Sequence, residues 1–224
     1  EELLLESVIS RRPDGIFITG IMPPGKARTR LMASGIPVVE TWDLTPTPID
    51  MLIGFSHADI GQAVAQYLLS KGNQKYAIVT ADDERAGRRN KAFIETVKAH
   101  KSGDVLVQNV GDLRTLKSGR EALKQILLLK PDVDAIFCSS DLLALGVLTE
   151  ARAQKISVPH QISIMGFGDV PFVEDMIPAL TTVKINGAEI GRLAAQCLVD
   201  RAQGKAVEQH IVDVGFSIVS RESA

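Results

Sequence analysis

The chain has 224 residues, 45% of them apolar, enough to bury a sizeable core in one or two domains. Lys and Arg number 25 against 27 Asp and Glu, a net charge of −2, which excludes the basic footprint of a nucleic-acid surface within this segment. No apolar run approaches the roughly 20 residues of a membrane span, and a single Trp with few other aromatics argues against a stacking platform for single-stranded nucleic acid.

Residues 1–11 carry an amphipathic helical pattern that starts without a capping residue, as in a segment cut from a longer chain. The turn Pro13-Asp14-Gly15 precedes a buried strand over 16–20. A helix over 26–34 and a strand over 36–40 follow. Residues 41–50 form an irregular loop holding Trp42, and 51–55 is a further strand. Ser56 to Asp59 starts a helix whose Ile60, Ala63, Val64, Tyr67 and Leu68 share one face. The alternation then repeats. Strands are expected at 76–80, 105–110, 134–138, 161–167 and 181–185, and helices at 88–100, 113–129, 141–154 and 188–203. A final strand is expected over 211–219. Strands alternating with helices through short loops imply parallel sheets covered on both faces. About eight strands are too few for a closed barrel of eight full units, so the fold class is α/β with two doubly wound lobes.

Several stretches have the residues for chemistry. In Cys138-Ser139-Ser140-Asp141, a buried strand meets a helix, and Ser140 or Asp141 caps it. Ligands of open parallel sheets sit at the carboxyl ends of strands, so this turn belongs on the rim of a binding crevice. Gly54-Phe55-Ser56-His57-Ala58 is one residue from a nucleophile elbow. Ser56 with His210 and Asp141 or Asp169 would make a hydrolase. The blander reading has Ser56 capping a helix and His57 lining a cleft. No phosphate-binding glycine loop occurs. His57, His100, His160 and His210 lack metal-ligand spacing, so neither metal nor cofactor is expected. Cys138 and Cys197 read as buried thiols in a reducing compartment. Arg85 lies in the charged loop over 81–87. Arg88 and Arg89 stand just inside the expected helix start, against its dipole, where an anion or a sugar hydroxyl could hold them. The blander reading of Arg85 and Arg88 is a solvated charged loop.

The chain resembles the effector-binding domain of LacI/GalR-type transcription regulators. The resemblance rests on Arg12-Pro13-Asp14-Gly15-Ile16, Gly35-Ile36-Pro37-Val38-Val39, Tyr67-Leu68 with Lys71-Gly72, and Arg89 with Phe93. It continues through Ser140-Asp141 with Ala144-Leu145-Gly146, Ile162 to Phe167, Pro178 to Val183, and Gly191. Within the family it is most similar to gluconate-type repressors, on Pro37 to Glu40, Asp43-Leu44-Thr45 and Pro48 to Met51.

The resemblance implies two periplasmic-binding-protein-like lobes of type I, residues 1–55 with 185–213 and 56–184 with 214–224, and a ligand between them. It implies a small sugar or sugar-acid effector, no enzymatic activity, a cytoplasmic homodimer without membrane attachment, and operator DNA read by an N-terminal helix-turn-helix absent here. The family's first strand would precede Glu1, leaving the first sheet without a central member. The matching ligand positions are Thr19, Trp42, His57, Arg89, Leu113, Ser140, Gly168 and Asp169. Of these, Arg89 and Ser140 are the expected polar contacts. Leu113 stands where the family has an aromatic platform, and Trp42 is expected to supply the stacking face instead. Asp141 is expected to cap its helix. Gly168 replaces an acid that commonly grips sugar hydroxyls, which suits an anionic sugar acid. A periplasmic sugar-binding protein is the alternative of the same fold.

Overall fold

A computed structural model describes residues 2–100 and 103–224. Glu1, where the sequence reading begins its first helix, lies outside them. In chain order the elements begin with α1 (Glu2–Ser10), β1 (Ile16–Thr19), α2 (Lys26–Ala33), β2 (Val38–Thr41), β3 (Met51–Gly54) and α3 (His57–Ser70). Next come β4 (Tyr76–Thr80), α4 (Glu84–Ala99), β5 (Leu106–Asn109), α5 (Leu116–Leu129), β6 (Ala135–Cys138) and α6 (Asp141–Ala153). The chain closes with β7 (Ser163–Gly168), a 3₁₀ turn (Pro171–Val173), β8 (Thr181–Lys184), α7 (Gly187–Ala202), β9 (Ile211–Asp213) and β10 (Ser217–Val219). Two compact units result: Glu1–Ser56 with Asn186–Gly215, and His57–Ile185 with Phe216–Ala224.

The first unit holds a four-stranded sheet in the order β1-β2-β3-β9, and every pair is parallel. The four strands are bonded to one another without a gap. β1 stands at an edge, and its Phe17 is 46% exposed. Val38, Val39, Leu52 and Ile53 are buried in the middle strands, with Ile190 and Ala194 of α7 buried in the same unit.

The second unit holds six strands in the order β10-β8-β7-β6-β4-β5, with β10 alone antiparallel to its neighbour. Alternate side chains of a strand face opposite ways. One face of β4 and β6, from Ala77, Val79, Ile136 and Cys138, packs with Leu123, Ile126, Leu143 and Val147 of α5 and α6. On the other, Phe93 of α4 stacks on Phe137 at 5.8 Å and meets Tyr76 edge-on at 5.9 Å.

Three expectations are revised. The strand over 211–219 is two strands, β9 and β10, in different sheets. Gly215 breaks it at φ 66, where its N–H bonds the Asp213 carboxylate at 2.8 Å. α4 begins a turn early, because Asp83 accepts from the N–H groups of Arg85 and Ala86 and so caps the helix. Cys197 is only half-buried. Cys138 is buried as expected, and burial, with Asp141 nearby, pushes its thiol far up. Among the described residues no helix is long and apolar enough to cross a membrane.

The helix pairs are drawn together at glycines. A Cβ on Gly146 of α6 would lie 2.3 Å from the Leu116 carbonyl and 2.8 Å from the Gly119 Cα. Backbone cannot yield there as a flexible side chain could. On propensity alone Gly→Ala within a helix gains roughly 1 kcal/mol. At Gly146 overpacking, of order 1–3 kcal/mol, outweighs it. Gly146→Ala is therefore expected to destabilise the chain in urea titration, whereas Gly87→Ala, on α4 with nothing within 4 Å of the added methyl, is neutral or stabilising. Equal effects of the two would refute the close contact.

Candidate functional site

The second unit gathers most of the expected ligand residues at the carboxyl ends of its parallel strands. The turn after β6 is extended at Ser140 (φ −155, ψ 155), and the Ser140 hydroxyl accepts from the Leu143 N–H at 3.4 Å. Ser140 is therefore the N-cap of α6, and the expectation that Asp141 caps it is overturned. Asp141 turns inward and is 2% exposed. One of its oxygens accepts from the Thr182 hydroxyl at 2.6 Å, and the other from the Val170 N–H at 3.0 Å. Burial raises its carboxyl above the ordinary range, while these bonds pull the other way.

This carboxylate dictates its neighbours. A Cβ on Gly166 would lie 2.2 Å from it, so the position cannot bear a side chain. Gly168 has φ 134, a conformation that side chains rarely adopt, and its added Cβ would stand 3.2 Å from the same carboxylate. A strained acid facing a buried acid would be costly, which gives the glycine at 168 a structural reason. Asp169 follows with φ 53. Its carboxylate, only 6% exposed, takes Lys184 Nζ at 2.9 Å and an Arg221 Nη at 2.8 Å. Burial raises this carboxyl, but the bonds and charges of Lys184 and Arg221 outweigh that and hold it below the usual range. Asp169 is thus a structural ion-pair centre, whatever it does for a ligand.

Arg89 is the buried cation of the rim, 4% exposed. Because α4 starts at Glu84, Arg89 lies in its second turn, and the conflict with the helix dipole that the sequence suggested falls away. What holds it is local. Its Cζ sits 4.0 Å over the centre of the Phe167 ring. One Nη approaches His57 Nδ1 at 2.8 Å, and the other reaches the Ser139 carbonyl at 3.5 Å. His57, the first residue of α3, is 4% exposed and stands 6.5 Å from Phe167 by ring centres. Beside this group Asn90 donates to the Thr80 hydroxyl at 3.0 Å. The other arginines of the run bond locally: Arg85 to Asp83 at 3.5 Å and Arg88 to Glu84 at 3.7 Å. Leu113 is 68% exposed in the loop before α5, next to Arg114, which pairs with Asp83 at 2.6 Å.

The remaining expected residues belong to the first unit. Thr19 is exposed at the end of β1. Trp42 follows β2 with φ 66, its N–H donating to the Ile53 carbonyl at 3.2 Å. Its indole meets Phe55 edge-on at 6.0 Å, and an added Cβ on Gly187 would be 3.1 Å from it. Glu40 is fully buried and accepts from the N–H groups of Met22 and Ile49, each at 2.8 Å, and from Arg28 at 3.3 Å, tying the neighbouring loops. The hydrolase geometry is not found here. His210 bonds the Asp50 carbonyl at 3.0 Å, before β3 begins, whereas Ser56 follows its end. A strand of four residues, roughly 13 Å long, intervenes.

So the structure joins His57 and Arg89, and adds Phe167 and Ser139, which sequence reasoning missed. It also joins Asp141 to Gly168 through close approach. Leu113 stands exposed, and Thr19 and Trp42 lie in the other unit. Phe167 carried a signal: an aromatic one residue before a strand's end, at the sheet edge where Arg89 was expected. Ser139 acts through its carbonyl, which no side chain advertises.

The carboxyl ends of parallel strands are where ligands of open α/β sheets sit, and there this unit holds a buried, aromatic-backed arginine. Residues 65–224 match the periplasmic binding protein-like domain. Over the whole chain it is 32% identical to the HTH-type transcriptional regulator GntR of Pseudomonas aeruginosa, of which it covers 66%. The transcription regulator GntR of Chromobacterium violaceum is 31% identical with a TM-score of 0.93, over 99% of this chain and 82% of that one. The regulator CelR, solved as a cellobiose complex, is 25% identical with a TM-score of 0.83, over 100% of this chain and 69% of that one. Solved LacI-family regulators share the fold. The chain belongs to the periplasmic-binding-protein-like domain family, in the form of the LacI-family effector-binding domain. It spans about two thirds of the length of the curated relatives it matches, 66% in the first two.

Asp169 gives a pH-dependent test. Its lowered folded value means that its contribution is complete above the unfolded value of about 3.9 and is lost as pH falls through the folded one. The stability gap between the native chain and Asp169→Asn, read by urea titration, is expected to stay constant from neutral pH down to about that value and to narrow below it. A gap that widens on acidification would contradict the ion-pair assignment.

Proposed function

We propose that the chain is the effector-sensing and dimerising part of a bacterial LacI-family transcription regulator, and that its effector is a sugar acid of the gluconate type. On this reading the N-terminal lobe is 1–55 with 185–213, and the C-terminal lobe 56–184 with 214–224. Operator DNA is read by a helix-turn-helix outside this segment, and the protein works as a cytoplasmic homodimer. The neutral balance of charge agrees with DNA contact lying elsewhere.

The observation that carries the effector class is Arg89. It is a buried guanidinium held over Phe167, and a planar fork of donors suits a carboxylate. Gly168 supports the same class: the rim lacks, at that position, an acid that would repel an anion. Ser140, His57 and Leu113 are the proposed further contacts on this rim, and Thr19 and Trp42 those of the first unit. The cellobiose complex of CelR supports a carbohydrate as the wider class. Effector binding then acts by favouring one of two states of the regulator.

A ligand that binds only the folded state raises its melting temperature. In a thermal-shift and calorimetric screen, gluconate and related aldonates are expected to stabilise the chain more than neutral hexoses do. Arg89→Ala should weaken aldonate binding about tenfold or more, the loss of a charged hydrogen bond of roughly 1.5–3 kcal/mol. Tighter binding of hexoses, or unchanged aldonate affinity in the variant, would refute the sugar-acid reading.

A further inference from the structure

We infer that His57 is a positioning residue for Arg89: held as the Nε2–H tautomer, it fixes the plane of the guanidinium by accepting at Nδ1. The inference deepens the proposed function and rests on that reading for its effect on the ligand, but not for the tautomer.

The argument starts from what each group can do. A guanidinium carries donors and no acceptor. At 2.8 Å from an Arg89 Nη, His57 Nδ1 must therefore offer a lone pair, and the ring proton sits on Nε2. A charged imidazolium would turn a second N–H toward a cation. It would also stand at the first position of α3, where the helix dipole disfavours positive charge. Both ring and guanidinium are 4% exposed, so water does not set their orientation.

Three contacts of Arg89 differ in what they fix. Phe167, 4.0 Å beneath Cζ, sets the height of the guanidinium but leaves it free to rotate in its own plane. The Ser139 carbonyl, at 3.5 Å, is a loose anchor. The short bond to His57 constrains the in-plane angle more tightly than the Ser139 carbonyl does. A carboxylate takes two parallel N–H bonds from an arginine only when the fork is turned correctly. His57 thereby helps Arg89 present a bidentate fork rather than a point charge, which favours a planar carboxylate over a neutral hydroxyl.

The test has two arms. In the ligand-free chain, labelled with 15N at histidine, long-range proton–nitrogen spectra are expected to show His57 as the Nε2–H tautomer, and Arg89→Met to release it into a mixture. In calorimetry with gluconate, His57→Leu is expected to lose about tenfold or more in affinity. His57→Asn, whose side-chain oxygen can accept where Nδ1 did, should stay within about threefold of the native chain. A role in packing alone predicts the opposite order, since Leu fills the buried site better than Asn. An Nδ1–H or doubly protonated ring in the free chain overturns the inference, as does a Leu variant that binds as well as the Asn variant. If gluconate fails to bind the native chain, the sugar-acid reading falls, and the first arm still decides the tautomer.

Discussion

Much of the second unit depends on one buried carboxylate. Asp141 sits at the head of α6 and bonds a strand hydroxyl at Thr182 and a loop amide at Val170. It therefore joins a helix, the strand beside β7 and the loop that leaves β7. Such a group is expensive to bury and is tolerated because both oxygens have partners. Its space is guaranteed by glycines, Gly166 against one oxygen and Gly168 against the other. The positive φ at Gly168 and Asp169 turns the chain so that Asp169 meets Lys184 and Arg221. A binding rim needs rigid walls, and this network ties α6, β8 and the loop after β7 together at the carboxyl ends of the strands.

The cation of the rim is handled differently. Arg89 is buried against an aromatic ring, a histidine and a carbonyl. These contacts limit the freedom of the guanidinium, which lowers the entropy a ligand would have to offset on meeting it. Two acids of the same unit have structural tasks, Asp169 with Lys184 and Arg221, and Asp83 with Arg114 and its helix cap.

The sequence foretells the alternation of elements well, because helical stripes and short β-rich runs bounded by Gly and Pro are strong local signals. It places the turn between β6 and α6 at Ser140 and a helix at Arg89. It fails where one residue's role is set by contacts distant in the chain. Ser140 and Asp141 are both plausible caps, and only Thr182 and Val170, some 30 to 40 residues away, decide that Asp141 turns inward. The run 211–219 reads as one strand because β-forming residues flank Gly215 on both sides, although the family resemblance put a lobe boundary between 213 and 214. α4 starts early because one acid, Asp83, caps it, and a charged stretch reads equally well as loop.

The crossing between β9 and β10 has a consequence for how the chain is made. The first unit needs Asn186–Gly215, and the second needs Phe216–Ala224. Neither can close on segments that are contiguous in sequence. Ile164 receives its backbone partner from Ser223, whose hydroxyl also accepts from the Thr181 N–H. A chain emerging from the ribosome therefore holds most of both sheets before either is finished. Contacts of such long sequence separation slow folding, so each unit depends on a pairing made late, and the two late pairings lie side by side in the chain.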